Sequence, residues 1–100
     1  MNETAPRQRT VITADSKPAM PPYIKMRHDA GRNRWIILAP ERLFDPDPIA
    51  VEVLKLCDGA RTVGAITDQL AIDYNAPRED IEADIIAMLQ DLADKGVVKA

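Results

Sequence analysis

The stretch Arg34-Trp35-Ile36-Ile37-Leu38-Ala39-Pro40-Glu41-Arg42-Leu43-Phe44 holds the only Trp and the only Phe of the chain. It reads as two strands around a bend. Trp35 to Leu38 is an apolar, partly β-branched run of strand length, and Arg42 to Phe44 is a short further strand. Pro40 has no N–H to give to a ladder, so it fits the bend or a sheet edge and not a central strand.

Upstream, Tyr23 to His28 alternates. Ile24, Met26 and His28 share one face, and Tyr23, Lys25 and Arg27 share the other. Asp29-Ala30-Gly31-Arg32-Asn33 is turn chemistry, with Gly31 or Asn33 suited to positive φ, so the first two strands form a hairpin. Downstream every signal is helical. Asp47 is an N-cap with Pro48 at the first helical position, and Ile49, Val53, Leu56 and Cys57 fall on one stripe that Asp58-Gly59 ends. Thr62 caps a second helix whose Val63, Ile66 and Leu70 face inward and which closes at Tyr74-Asn75. Pro77 opens a third, with Glu79 and Asp80 near its positive end and Lys95-Gly96 at its stop. The expected fold is α+β and winged-helix-like: a small three-stranded antiparallel sheet followed by a three-helix bundle.

One hundred residues with a single apolar core make one domain. Residues 1–22 carry Pro6, Pro18, Pro21 and Pro22 and no apolar periodicity, and are expected to be a disordered tail or an interdomain linker, with the folded unit at 23–100. A core that small leaves little room for a deep enclosed site. Residues 1–42 hold eight Lys or Arg against four Asp or Glu, and residues 43–100 hold five against twelve, so the helical half is strongly acidic and disfavours phosphate. The lone Cys57 allows no internal disulfide and fits a reducing compartment. With no leader-like or membrane-spanning apolar run, the expected location is the cytoplasm.

No cluster of side chains calls for catalysis, a metal or a cofactor. His28 is the only His and has no ligand partner at a useful spacing. Cys57 sits at an apolar helix position and reads as an inert buried thiol. Ser16, the only Ser, lies in the proline-punctuated segment, which argues against both a hydroxyl triad and a carrier protein's prosthetic arm. The acids of the third helix fall mostly on its polar face, and Trp35 reads as a core residue.

The third helix carries more apolar surface than its seat requires. Ile81, Ile85, Met88 and Leu92 make one narrow stripe, and Ile86, Leu89 and Ala93 widen it sideways. Either a broad face is buried, or a groove beside the helix adjoins the sheet edge and receives an extended peptide. The alternative is a winged helix-turn-helix regulator that reads DNA. Six acids against Arg78 and Lys95 on the would-be recognition helix count against it, so no nucleic acid partner is expected.

The strings Arg34-Trp35-Ile36-Ile37-Leu38-Ala39-Pro40-Glu41, Leu56-Cys57-Asp58-Gly59 and Arg61-Thr62-Val63 occur in this order. They are followed by Asp80 to Ile85, Leu89, Leu92 and Gly96, and together they resemble the PqqD family of pyrroloquinoline quinone (PQQ) biosynthesis from about Pro21 to Val98. The resemblance implies a non-enzymatic peptide chaperone; a monomer without cofactor or membrane attachment is expected. It implies binding of the precursor peptide PqqA and its presentation to the radical S-adenosylmethionine enzyme PqqE, with PqqC as a possible fusion partner. It places the peptide as an added strand beside the third strand and against the third helix, at Glu41, Arg42, Leu43, Phe44, Glu82, Ile86, Leu89 and Ala93. Arg27, Arg32 and Arg34 are the candidates for contact with the partner enzyme. The prolines of Phe44-Asp45-Pro46-Asp47-Pro48 depart from the longer apolar strand expected there.

Overall fold

The structure is a computed structural model and describes residues 9–100. Strands β1 (Lys25–Asp29), β2 (Arg34–Ala39) and β3 (Arg42–Phe44) precede helices α1 (Pro48–Lys55), α2 (Val63–Asp73) and α3 (Arg78–Asp94). The sheet is antiparallel in the order β1-β2-β3, so β3 lies at one edge. The expected three strands and three helices are all present, in the expected order.

Local chemistry explains the joints. Asp29 Oδ1 accepts from the N–H groups of Gly31 (3.0 Å) and Arg32 (3.3 Å), and Asn33 takes φ 54°, which Asn tolerates. Asp47 Oδ1 accepts from Ala50 N (2.8 Å) at the start of α1, with Pro48 at the first helical position. Thr62 Oγ1 does the same for Ala65 N (3.1 Å) at α2. One joint differs from expectation. Helix α1 stops at Leu56, before Gly59. Gly59 (φ 80°) instead belongs to a turn in which Asp58 Oδ1 accepts from Ala60 N and Arg61 N. Those two backbone N–H groups, Arg61 first, hold the Asp58 carboxyl below its usual range.

The core joins Ile24 and Ile37 of the sheet side to Val53, Leu54 and Cys57 around α1, Val63, Ile66 and Leu70 of α2, Ile85 and Leu89 of α3, and Val97 and Val98. Two expectations about that core are corrected. Trp35 lies outside it: half-buried, it packs edge-on against His28 (ring centroids 5.5 Å apart), with Lys55 Nζ 5.0 Å from its ring. Ile49 is 55% exposed, because α1 turns Ala50, Val51, Val53 and Leu54 inward instead.

The larger correction concerns the first twenty-two residues. Residues 1–8 lie outside the described residues, but 9–22 are packed onto the domain. Ile12, Pro18 and Pro21 are buried. Ala19 exchanges two backbone hydrogen bonds with Lys99, each 2.8 Å, and Pro18 O accepts from Gly59 N. Ser16 O and Ala14 O accept from Val63 N and Gly64 N, the first donors of α2, which have no partner within the helix. Gln90 clamps the strap to α3: its Oε1 accepts from Ile12 N (2.9 Å) and its Nε2 donates to Thr10 O (2.8 Å). The segment is held mainly through its backbone, which hydrophobic periodicity does not report.

Candidate functional site

Strand β3 begins after a two-residue turn, Pro40-Glu41, in which Glu41 takes φ 95°. Because Ala39 and Arg42 close that turn, they form a hydrogen-bonded pair. Leu38 and Leu43 then form the next, non-bonded pair, and Ile37 and Phe44 bond again. The backbone N–H and C=O of Leu43 therefore point away from β2, toward the open edge. Leu43 is also 70% exposed, so an apolar side chain and a peptide group without a partner among the described residues sit together there.

Beside this edge runs a cleft of about 220 Å³ lined by Ile37, Phe44, Pro46 and Ala50 on one side and by Met88, Asp91, Leu92 and Lys95 on the other. The Arg42 guanidinium lies 4.7 Å from the centre of the Phe44 ring and covers it. Two of the cleft's three acids are in ion pairs, Asp91 with Lys95 at 2.9 Å and Asp45 with Arg34 at 3.0 Å, and the third, Asp47, caps α1. What the cleft offers a ligand is a mixed lining, apolar at Ile37, Phe44, Met88 and Leu92 and polar at its acidic rim, beside one strand edge.

The face of α3 that meets β3 differs from the expected one. Leu89 is fully buried (0% exposed) and with Ile85 forms the seat of the helix. Met88 and Leu92, expected to seat it, are only half-buried and line the cleft. Ile86 and Ala93 lie on the opposite flank, beside Gln90 and Asp94, which hold the 9–14 strap. Arg9 Nη2 meets Asp94 Oδ2 at 2.8 Å and, with Gln90, keeps the Asp94 carboxyl below its usual range. Glu82 is paired with Arg78 at 3.2 Å. Thus Arg42, Leu43 and Phe44 stand at the edge and cleft, Glu41 sits in the turn before them, and Glu82, Ile86, Leu89 and Ala93 do not line the cleft. Sequence reasoning missed Met88, Asp91, Leu92 and Lys95. The signal available for them was their spacing on one side of the Ile85–Leu89 line.

Arg27, Arg32 and Arg34 lie along the β1–β2 hairpin and are all exposed. Arg32 approaches Asp29 (3.8 Å), whereas Arg27 has no carboxylate partner among the described residues. Helix α3 is unsuited to a phosphate backbone, because its cation Arg78 is engaged by Asp68 and Glu82. Burial, and then the Asp58 charge, push the Cys57 thiol up to about 12, so it is no nucleophile at neutral pH. Among the described residues no three His, Cys, Asp or Glu side chains gather to hold a metal ion, and no helix is long and apolar enough to cross a membrane.

Three strands, three helices and a cleft beside the β3 edge define a small winged-helix-like domain. The family profile described as Coenzyme PQQ synthesis protein D (PqqD) matches residues 34–98. The chain belongs to the PqqD family. A PqqA binding protein of Rhodopseudomonas palustris (strain BisB5) is 61% identical over 92 residues, covering 92% of this chain and 89% of the relative. One from Bradyrhizobium diazoefficiens is 58% identical over 91 residues, covering 91% and 87%. Among solved structures, the NMR structure of the PqqD truncation of Methylobacterium extorquens PqqCD is 44% identical with a TM-score of 0.80, covering 91% of this chain and 97% of that one. It is described as a functional, stand-alone recognition element for ribosomally synthesized and post-translationally modified peptides. The crystal structure of PqqD from Xanthomonas campestris is 36% identical with a TM-score of 0.54, covering 84% and 93%.

Proposed function

We propose that this chain binds the precursor peptide PqqA as an extra strand on the β3 edge and hands it to the modifying enzyme PqqE. The observation that carries this is the unpaired backbone of Leu43 beside the Phe44–Met88–Leu92 cleft. A peptide strand gains two main-chain hydrogen bonds at Leu43 and buries alternate side chains against the cleft walls. Relatives up to 61% identical bear the name PqqA binding protein, which makes that peptide the natural ligand. Arg42 and Phe44 flank the added strand, and Glu41 sets its entry. Glu82, Ile86, Leu89 and Ala93 act from behind it, as the support of α3. Exposed Arg27, Arg32 and Arg34 are the surface offered to the enzyme.

Titration of the isotopically labelled chain with PqqA, followed by amide NMR, tests the reading. The largest shifts are expected at Leu43, Met88 and Leu92. Shifts confined to the β1 edge, or none at peptide excess, overturn it. Leu43→Pro removes the outward N–H while leaving the β2–β3 ladder bonds intact, and is expected to weaken PqqA binding at least about tenfold, measured by calorimetry.

A further inference from the structure

A second depression opens farther along α3. It measures about 230 Å³ and is bounded by Ile49, Tyr74, Ile81 and Met88 over a floor of Leu70 and Ile85. The floor is buried, whereas the rim stays in contact with water, with Ile49 55% and Tyr74 47% exposed. A dry apolar cavity of about 150 Å³ accommodates a benzene ring, so this hollow has room for a Leu, Met or aromatic side chain. Asp84 is the one charged residue in its lining, and it has no ion-pair partner among the described residues.

We propose that this hollow is an anchoring subsite for the same peptide that adds to β3, taking one large apolar side chain from outside the strand-forming stretch. The inference rests on the peptide-binding reading above and adds a second contact point to it. Continuity identifies the occupant: Met88 lines both this hollow and the cleft beside Phe44. Ile81 and Met88 are two helical turns apart, about 10 Å at 1.5 Å per residue. An extended chain leaving the cleft covers that span in about three residues. The ligand is therefore a peptide with a strand-forming segment and, about three or four residues away, a Leu, Met or aromatic anchor. Asp84 favours a Lys or Arg next to that anchor and disfavours Asp or Glu.

The test uses the full chain and its Ile49→Asp variant. Ile49 is exposed and stands in the first turn of α1, where an acid suits the helix dipole, so the variant keeps the fold. Two ligands are compared: full-length PqqA, and the shortest PqqA fragment that still shifts the Leu43 amide. Ile49→Asp is expected to weaken full-length PqqA about tenfold or more and to leave the fragment within about twofold. Equal affinities for both proteins with full-length PqqA overturn the subsite, as does equal weakening of both ligands. So does a concentration-dependent dimer of the parent chain that Ile49→Asp abolishes without touching peptide affinity, since a second copy would then fill the hollow. If neither ligand binds the parent chain, the peptide-binding reading itself fails.

Discussion

Thr67 is fully buried in α2, and its Oγ1 has no hydrogen-bond partner among the described residues. A buried unsatisfied hydroxyl costs about 1–3 kcal/mol, and an apolar side chain of the same shape does not carry that cost. Thr67→Val is therefore expected to stabilise the chain by about 1 kcal/mol, seen in calorimetry as a rise in Tm of about 4–8 °C. Cys57 shows the same burial through its acid–base behaviour. Its thiol is pushed from 9.0 up to about 12, so in the window between those values the unfolded chain loses the proton first. The unfolded state then binds fewer protons than the native one, and stability falls as pH rises through that window, while below it this contribution is fully present. Urea denaturation at pH 8 and pH 10 is expected to show a steeper decline for the parent chain than for Cys57→Ala. A thiol reagent at pH 8 is expected to label Cys57 only in denaturant. The inertness of Cys57 was legible in the sequence from its apolar neighbours. The orphan hydroxyl was not: its spacing from Val63 and Leu70 puts Thr67 on the inward face of α2, but spacing does not tell whether a hydroxyl there finds a partner.

At the scale of elements, the strand edge was readable and the helix face was not. Pro40-Glu41 marks the bend, and a strand three residues long can only be Arg42 to Phe44, as observed. Helix caps at Asp47 and Thr62 were equally explicit, because a capping residue acts within its own turn. Helix α3 carries two apolar stripes side by side, and spacing alone favours the Ile81–Ile85–Met88–Leu92 stripe as its seat. What packs on each flank decides otherwise: the 9–14 strap takes the Ile86–Gln90 side, and Ile85 with Leu89 takes the core. This leaves Met88 and Leu92 to the cleft. Paired truncations separate the roles. Leu89→Ala is expected to cost about 2–5 kcal/mol of stability in chemical denaturation. Met88→Ala is expected to cost under about 1.5 kcal/mol there but to weaken PqqA binding several-fold in calorimetry, since Met88 belongs to both the cleft and the neighbouring hollow. Equal stability losses with unchanged peptide affinity would show that the cleft face has been misplaced.

On the scale of the whole molecule, the acidic helical half and the cationic hairpin form different surfaces of one unit, and the segment at 9–22 fastens its parts together. It touches the start of α2 through Ala14 and Ser16, the end of α3 through Gln90 and Asp94, and the C-terminal strand-like Lys99 through Ala19. Only Ile12 in its first half enters the core, so its hold combines one buried side chain with backbone bonds that cap other elements. Deleting residues 1–16 removes that side chain, worth about 1.5–3 kcal/mol. It also returns the Val63 and Gly64 N–H groups to water and bares the Ile86 flank of α3. The truncated chain is expected to be about 2–4 kcal/mol less stable than the full chain in urea, while PqqA affinity stays within about threefold, because the strap and the cleft lie on opposite flanks of α3. The exposed Arg9–Asp94 pair adds little to that loss, so Arg9→Ala alone is expected to leave the urea midpoint essentially unchanged. If instead the truncation leaves stability intact and raises PqqA affinity, the strap competes with the peptide for α3 and the two flanks are coupled.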